Sequence, residues 1–275
     1  MKTAIILPGG GVKCAYTAGA LIALGKKLGI TTPDIAVASS GSVGPLMYYL
    51  TNQYDEGERA WIRFIPSKEF IRYFPYPRID VDYLVDKVMK EYLPLDTDKL
   101  ATATTRYFIP VTDEDTGITQ FISNETWFDP FEVMRAAKAI PMFYHRHIFL
   151  GAHHYMDGGI GDGPQALVDK AIAEGATNIL VISNTAVAKP REYKSFYKAY
   201  AYWQRKPLET TLLRFTDRVE NITFPPGVKG LNISPTEPLP VGLMTRNKRC
   251  VAEAFHMGYD DLLARSQEII ELFKP

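Results

Sequence analysis

The chain of 275 residues carries only two cysteines, Cys14 and Cys250. That scarcity excludes a disulfide-stapled secreted scaffold and favours a reducing compartment. An excess of charge is missing as well: 31 Lys and Arg balance 31 Asp and Glu, so the bulk basic surface of a nucleic-acid binder is absent. No run of about 18 apolar residues occurs, and no spanning helix is expected. The apolar run nearest the N-terminus, Ala4 to Leu7, is too short for a signal-peptide core. Internal repeats and low-complexity segments are lacking too. These absences leave a cytoplasmic chain, soluble or peripheral to a membrane, whose partners must be read from its sites. With 46% hydrophobic residues it can bury one large core, and a single domain over 1–275 is the simplest expectation.

What is present opens as strand, loop, helix, twice over. Thr3 to Leu7 reads as a buried strand that must turn at Pro8-Gly9-Gly10-Gly11, and Ala15 to Leu28 follows with apolar residues at helical spacing. Ile35 to Ala38 is a second strand, then Ser39-Ser40-Gly41-Ser42 and an apolar helix from Val43 to Leu50. This alternation predicts a parallel α/β sheet. Gln53 to Lys99 mixes charges, aromatics and prolines and reads as short helices with irregular connections. Tyr107 to Val111 and Ile118 to Ile122 flank a turn-rich stretch and predict a hairpin. A helix over Phe131 to Ile140 precedes a strand over Arg146 to Leu150, which leads to Tyr155-Met156-Asp157-Gly158-Gly159. Ala166 to Ala173 reads as a helix, Asn178 to Ser183 and Leu231 to Ser234 as strands, and Asn247 to Phe273 as one amphipathic closing helix. Lys189 to Pro240, rich in proline, is the most loop-like region.

Two glycine- and serine-rich turns carry candidate chemistry. In Ser40-Gly41-Ser42-Val43-Gly44, between strand and helix, Ser42 takes the place of a nucleophile at a sharp elbow, with Ser40 and Gly44 as the small residues two before and two after. The plainer reading of the same residues is a polar loop with a helix N-cap. In Gly9-Gly10-Gly11-Val12-Lys13-Cys14, consecutive glycines would let backbone N–H groups approach a developing oxyanion. A dinucleotide loop is the rival reading. Cys14 replaces its third glycine, and Ser39 to Ser42 stand where an acidic residue is needed, so it is disfavoured. A purely structural glycine turn stays open.

A serine nucleophile needs a base. Of His145, His147, His153, His154 and His256, only His256 follows Asp157, and it reads as a residue of the closing helix beside the core. His153 and His154, with Asp157 or Asp162, are poor joint metal ligands because neighbours on an extended segment point to opposite sides. The remaining candidate is the Asp157-Gly158-Gly159 turn.

The Gly9-Gly10-Gly11 loop, the serine turn at Ser42, the Asp157-Gly158-Gly159 turn and the Ala136-Ala137-Lys138-Ala139-Ile140-Pro141 stretch occur in the order seen in the patatin-like phospholipases, a family that the chain resembles over most of residues 1 to 185. The resemblance implies an α/β/α three-layer sandwich with a mainly parallel sheet, residues 186–275 adding C-terminal helices and covering loops. It implies a serine-dependent lipid acyl hydrolase with Ser42 as nucleophile, Asp157 as base, and Gly9, Gly10, Gly11 and Val43 around the oxyanion. Gly158 and Gly159 would support the aspartate. No cofactor and no metal are implied, and the partner would be a lipid or another acyl ester. Cys14 and Ser40 depart from the family's glycines and bear on loop geometry. The alternative is a catalytically silent lipid- or protein-binding module on the same fold. Tyr193, Phe196, Tyr197, Tyr200 and Trp203, among basic residues, could rest on a lipid surface or simply pack on the sheet.

Overall fold

The computed structural model describes residues 1–126, 129–144, 146–185, 194–218 and 221–274, with the side chain of Phe196 excepted. β1 (Thr3–Leu7) runs into a 3-10 turn and α1 (Cys14–Lys26), and β2 (Ile35–Ala38) runs into a second 3-10 turn and α2 (Val43–Leu50). α3 (Tyr54–Arg59) continues as a π-helical turn, followed by the short strands β3 (Ile71–Arg72) and β4 (Arg78–Ile79), a second π-helical stretch over Tyr83–Tyr92, and α4 (Thr97–Ala101). β5 (Arg106–Asp113) and β6 (Thr119–Ser123) form the expected hairpin. α5 (Pro130–Ala136) leads to the hairpin of β7 (Ile148–Leu150) and β8 (His153–Asp157), then α6 (Gly158–Gly161), α7 (Pro164–Ala173) and β9 (Asn178–Ile182). α8 (Lys194–Ala201), α9 (Lys206–Asp217), β10 (Lys229–Ile233), α10 (Lys248–Ala264) and α11 (Ser266–Phe273) complete the chain.

The main sheet has the order β10-β9-β1-β2-β5-β8-β7, with β6 on β5. β10, β9, β1, β2 and β5 are parallel, while β6 and β8 pair antiparallel to β5, and β7 antiparallel to β8. A parallel sheet must be covered on both faces, and the strands show it: every residue of β1, β2 and β9 is buried. Alternate residues feed two cores. Ile5, Leu7, Ala36 and Ala38 pack with α1, α2 and α10, whereas Ala4, Ile6, Ile35 and Val37 pack with Leu167, Val168 and Ala171 of α7. The architecture is the expected three-layer α/β/α sandwich.

Three expectations are modified. The region over 53–99 adds a small hairpin to its irregular helices. The proline-rich stretch holds two helices, α8 and α9, whose amphipathic faces bury Tyr197, Leu208 and Leu212. The closing helix is two helices joined at Arg265, where the backbone leaves helical geometry at φ −107° and ψ 17°. Among the described residues, no helix is long and apolar enough to cross a membrane.

From β1 the chain winds to β2 on one side and returns to β9 on the other. The crevice outside the carboxyl ends of such strands is where open α/β sheets build sites. Pro8 to Gly11 leave β1 there, Ser39 to Ser42 leave β2, and Asn184 follows β9.

Candidate active site

The serine turn is built differently from the expectation. Ser42 is fully buried, and its Oγ donates to the carbonyl of Pro8 at 2.7 Å and lies 3.3 Å from Cys14 Sγ. It faces the interior of the turn and lines neither cavity of the site. Ser40, assigned a supporting place by sequence, holds the strained position: its φ is +52°, the left-handed region that a non-glycine residue adopts only when its surroundings enforce it. Ser40 lines both cavities. The left-handed residue thus falls two positions earlier than the sequence frame, within Ala38-Ser39-Ser40-Gly41-Ser42, with Ser42 two residues after it. The burial of Ser42 follows from that place, where strand and helix approach each other.

The glycines agree with the shifted frame. A Cβ on Gly41 would meet the carbonyl oxygen of Gly11 at 2.7 Å and Cys14 Sγ at 2.9 Å, and one on Gly9 would meet Ser40 Cβ at 2.7 Å. The elbow and the glycine loop thus touch backbone to backbone. Gly44, expected to meet a demand for a small residue, faces no such demand: among the described residues a Cβ there would meet nothing within 4 Å. Val43 N–H donates to the Ser40 carbonyl inside the turn, which removes it from the oxyanion donors proposed by sequence. Gly10 and Gly11 donate no backbone hydrogen bond among the described residues, whereas Val12 and Lys13 donate to Leu243 and Gly10. Asn184 Nδ2 holds the loop through the carbonyls of Pro8 at 3.1 Å and Gly9 at 3.2 Å.

Asp157 ends β8 and caps α6, accepting from Gly159 N–H at 2.8 Å through Oδ1. Gly158 lets β5 come close, since a Cβ would sit 2.2 Å from the Pro110 carbonyl oxygen. The carboxyl is 3% exposed, and burial pushes its pKa up to about 6, against the opposing pull of the Ser40 hydroxyl, Gly159 N–H and Lys138. The Ser40 interaction is not a closed hydrogen bond: Oδ2 is buried and has no partner among the described residues. Such a gap is ordinary in a substrate-free site.

Sequence reading passed over Lys138, although it stands inside the Ala-rich stretch quoted above. Its ammonium is buried and donates to the Ser40 carbonyl at 2.7 Å. Burial lowers its pKa to about 8, opposed by the Asp157 carboxylate. A charged residue in an apolar run ending a helix was the available signal. Cys14 is excluded as a nucleophile, because burial pushes its thiol up to about 12.

Of the histidines, His256 lies on α10 but faces solvent, edge-to-face with the ring of Phe255 at 5.6 Å, so it is neither the base nor part of the core. His145 and Tyr193 lie outside the described residues, as does the side chain of Phe196. Tyr197 is buried against Phe143 and Phe215, while Trp203 is exposed beyond the end of α8. Among the described residues of the stripe, Tyr197 and Tyr200 pack against the core and Trp203 does not.

Two cavities meet at Ser40. One holds Gly10, Gly11, Asp157, Asn184 and Leu243. The other is almost wholly apolar, walled by Tyr48, Trp61, Ile65, Phe70, Leu84 and Met89, largely from the irregular region. A strained serine, a buried carboxylate, a glycine loop and an apolar slot define the acyl-hydrolase class of α/β site. The sequence matches the family model for Patatin-like phospholipase over residues 5–169, and the chain belongs to that family. It is 25% identical over 256 residues to the uncharacterized protein YjjU of Escherichia coli (strain K12), covering 86% of this chain and 70% of that one. The fold is shared with VipD from Legionella pneumophila, at a TM-score of 0.56 and 13% identity over 97% of this chain and 67% of the other. It is also shared with human GIVD cytosolic phospholipase A2, solved with methyl gamma-linolenyl fluorophosphonate, at 0.51 and 12% over 98% and 59%.

Proposed function

We propose that the protein is a serine-dependent lipid acyl hydrolase in which Ser40, rather than Ser42, is the nucleophile and Asp157 the base. The observation that carries this reading is the left-handed backbone of Ser40 in the wall shared by both cavities, beside a buried carboxyl with one oxygen unpartnered among the described residues. Asp157 takes the proton as Ser40 Oγ bonds to the ester carbonyl carbon. The N–H groups of Gly10 and Gly11 receive the oxyanion, each such donor being worth roughly 3 kcal/mol of barrier. The C–O bond then breaks, and the alcohol leaves with the proton from Asp157. Water attacks the acyl-serine with Asp157 again as base, releasing the fatty acid and restoring Ser40.

The apolar slot supports a long acyl chain as the bound group, and the carboxyl pKa, raised towards neutrality, suits a base working near pH 7. The test is labelling by an alkyl fluorophosphonate followed by peptide mapping. Label on Ser40, absent in Ser40→Ala and retained in Ser42→Ala, is expected. Label on Ser42 would move the nucleophile back, and absence of label together with inactivity on a panel of esters would favour a silent binding module.

A further inference from the structure

Beyond the acyl site, and independent of it, three strands bring two imidazoles and a carboxylate together at the far edge of the sheet. Glu114 directly follows β5 and its N–H donates to the carbonyl of His154 on β8 at 3.1 Å. In the β7–β8 hairpin Phe149 faces His154, so His147, two residues before Phe149, shares that face. The side chains confirm the register: the rings of His147 and His154 lie 5.7 Å apart, and Phe149 lies 5.6 Å from His154. His153, one residue away, turns to the opposite side, with its Nδ1 3.3 Å from Asp113.

We propose that Glu114, His147 and His154 form a binding site for a divalent transition metal of the zinc type. Glu114 Oε2 lies 2.9 Å from His147 Nδ1 and 3.8 Å from His154 Nε2, and the three ligand atoms all fall within 4.8 Å of one another. Ligands bound tetrahedrally at about 2.0–2.2 Å sit about 3.4 Å apart, so those separations bracket what the metal needs without backbone movement. Asp115 Oδ1, 3.8 Å from His154 Nε2, is placed to supply a fourth ligand, or water can take that place. The donor set decides the class: two imidazole nitrogens with one carboxylate suit zinc and its first-row neighbours, whereas calcium and magnesium require oxygen shells. Because Glu114 directly follows β5, His147 directly precedes β7 and His154 lies on β8, a bound ion would tie the end of β5 to the hairpin that ends in Asp157.

The pairing of His153 with His154 weighed from sequence has the wrong partners for this site. The ligands that fit lie 40 residues upstream and 7 residues upstream of His154, and only the sheet brings them together.

The experiment is equilibrium dialysis of untagged full-length protein against Zn2+ with excess Mg2+, alongside Co2+ absorption. One Zn2+ per chain and the visible bands of tetrahedral or five-coordinate Co2+ are expected. Affinity should fall by more than about 100-fold in His147→Ala/His154→Ala and in Glu114→Gln, since losses of 10–100-fold already follow from outer-shell changes. His153→Ala should leave it unchanged. Zn2+ should also protect His147 and His154 of the wild type from diethyl pyrocarbonate, a readout that holds even if a variant fails to fold. No saturable uptake, uptake unaltered in the double variant, or unprotected histidines overturns the proposal.

Discussion

The ammonium of Lys138 donates to the backbone carbonyl of Ser40 at 2.7 Å, so a buried cation stands directly beneath the strained residue of the elbow. The same cation lowers the proton affinity of Asp157. Under the proposed mechanism Lys138 is a positioning residue in two senses: it holds the turn that carries Ser40, and it favours the ionised form of Asp157.

That double role has a pH signature. In kcat/KM, activity should rise as Asp157 ionises, through about pH 6, and fall as Lys138 loses its proton, through about pH 8. In Lys138→Met the acid limb should move to higher pH, because the cation that favours the carboxylate is gone, and the alkaline limb should vanish. A purely structural lysine would lower kcat and leave both limbs in place.

The two glycines around Ser42 separate the alternative elbow frames. Gly41→Ala drives a methyl into the Gly11 carbonyl and Cys14 Sγ, and should abolish turnover. Gly44→Ala meets nothing, replaces glycine within α2, and should raise stability by roughly 0.5–1 kcal/mol while retaining hydrolysis of short-chain esters. Since Gly44 lines the apolar slot, Gly44→Val should shift preference towards shorter acyl chains. Chain-length profiles of the variants check this. An inactive Gly44→Ala would restore Ser42 as the apex.

Burying both charges should be visible in stability. Asp157 has a folded pKa raised from 3.8 to about 6, so the folded state holds its proton longer than the unfolded chain and stability falls as pH rises between those values. Lys138 is lowered from 10.5 to about 8, so stability recovers between pH 8 and 10.5. The protein should therefore be least stable between about pH 6 and 8. Lys138→Met/Asp157→Asn, which removes both charges, should be more stable at pH 7 than either single variant, with a coupling on the order of 1–4 kcal/mol. Urea melts of the four proteins measure it, and additive single effects would refute the pairing.

The parallel sheet was legible because β1, β2 and β9 are short apolar runs bounded by turn residues, and the turn at Asp157 drew notice because two glycines follow it. The proposed elbow at Ser40 differs by two positions from the frame read in the sequence, for a physical reason. Ser39-Ser40-Gly41-Ser42 offers two serines beside one glycine, and the visible Gly44 favoured the later frame, while the demand for small residues is met here by Ala38 and Ser42. The backbone angle of Ser40, the burial of Ser42 and the lining of the cavities separate the two, and none of these is written in the local sequence. α8 and α9 were obscured by prolines that prove to lie at helix starts and between elements, as Pro207 does in the first turn of α9. Lys138 stood out locally only as a charge in an apolar run, while its partner Ser40 and the Glu114, His147 and His154 cluster depend on contacts between distant segments, which no local pattern encodes.

Contact with a lipid surface is best sought at the tip between β3 and β4 rather than along α8. Tyr73, Phe74 and Tyr76 are 48%, 88% and 47% exposed, whereas Phe70 and Ile79 at the base of the same hairpin wall the apolar slot. Arg72, paired with Asp80 at 3.2 Å, and Arg78, over the ring of Tyr76, flank the tip half-buried, so the exposed group that would meet a lipid surface is mainly aromatic. Burying a phenylalanine ring in an apolar phase is worth about 1.5–3 kcal/mol, or roughly 10- to 150-fold in partitioning. Phe74→Ser should therefore lower hydrolysis of anionic phospholipid vesicles by at least about tenfold, and leave a water-soluble short-chain ester unaffected because Phe74 does not line the site. Equal losses on both substrates would mean that the tip supports the slot rather than meeting the membrane.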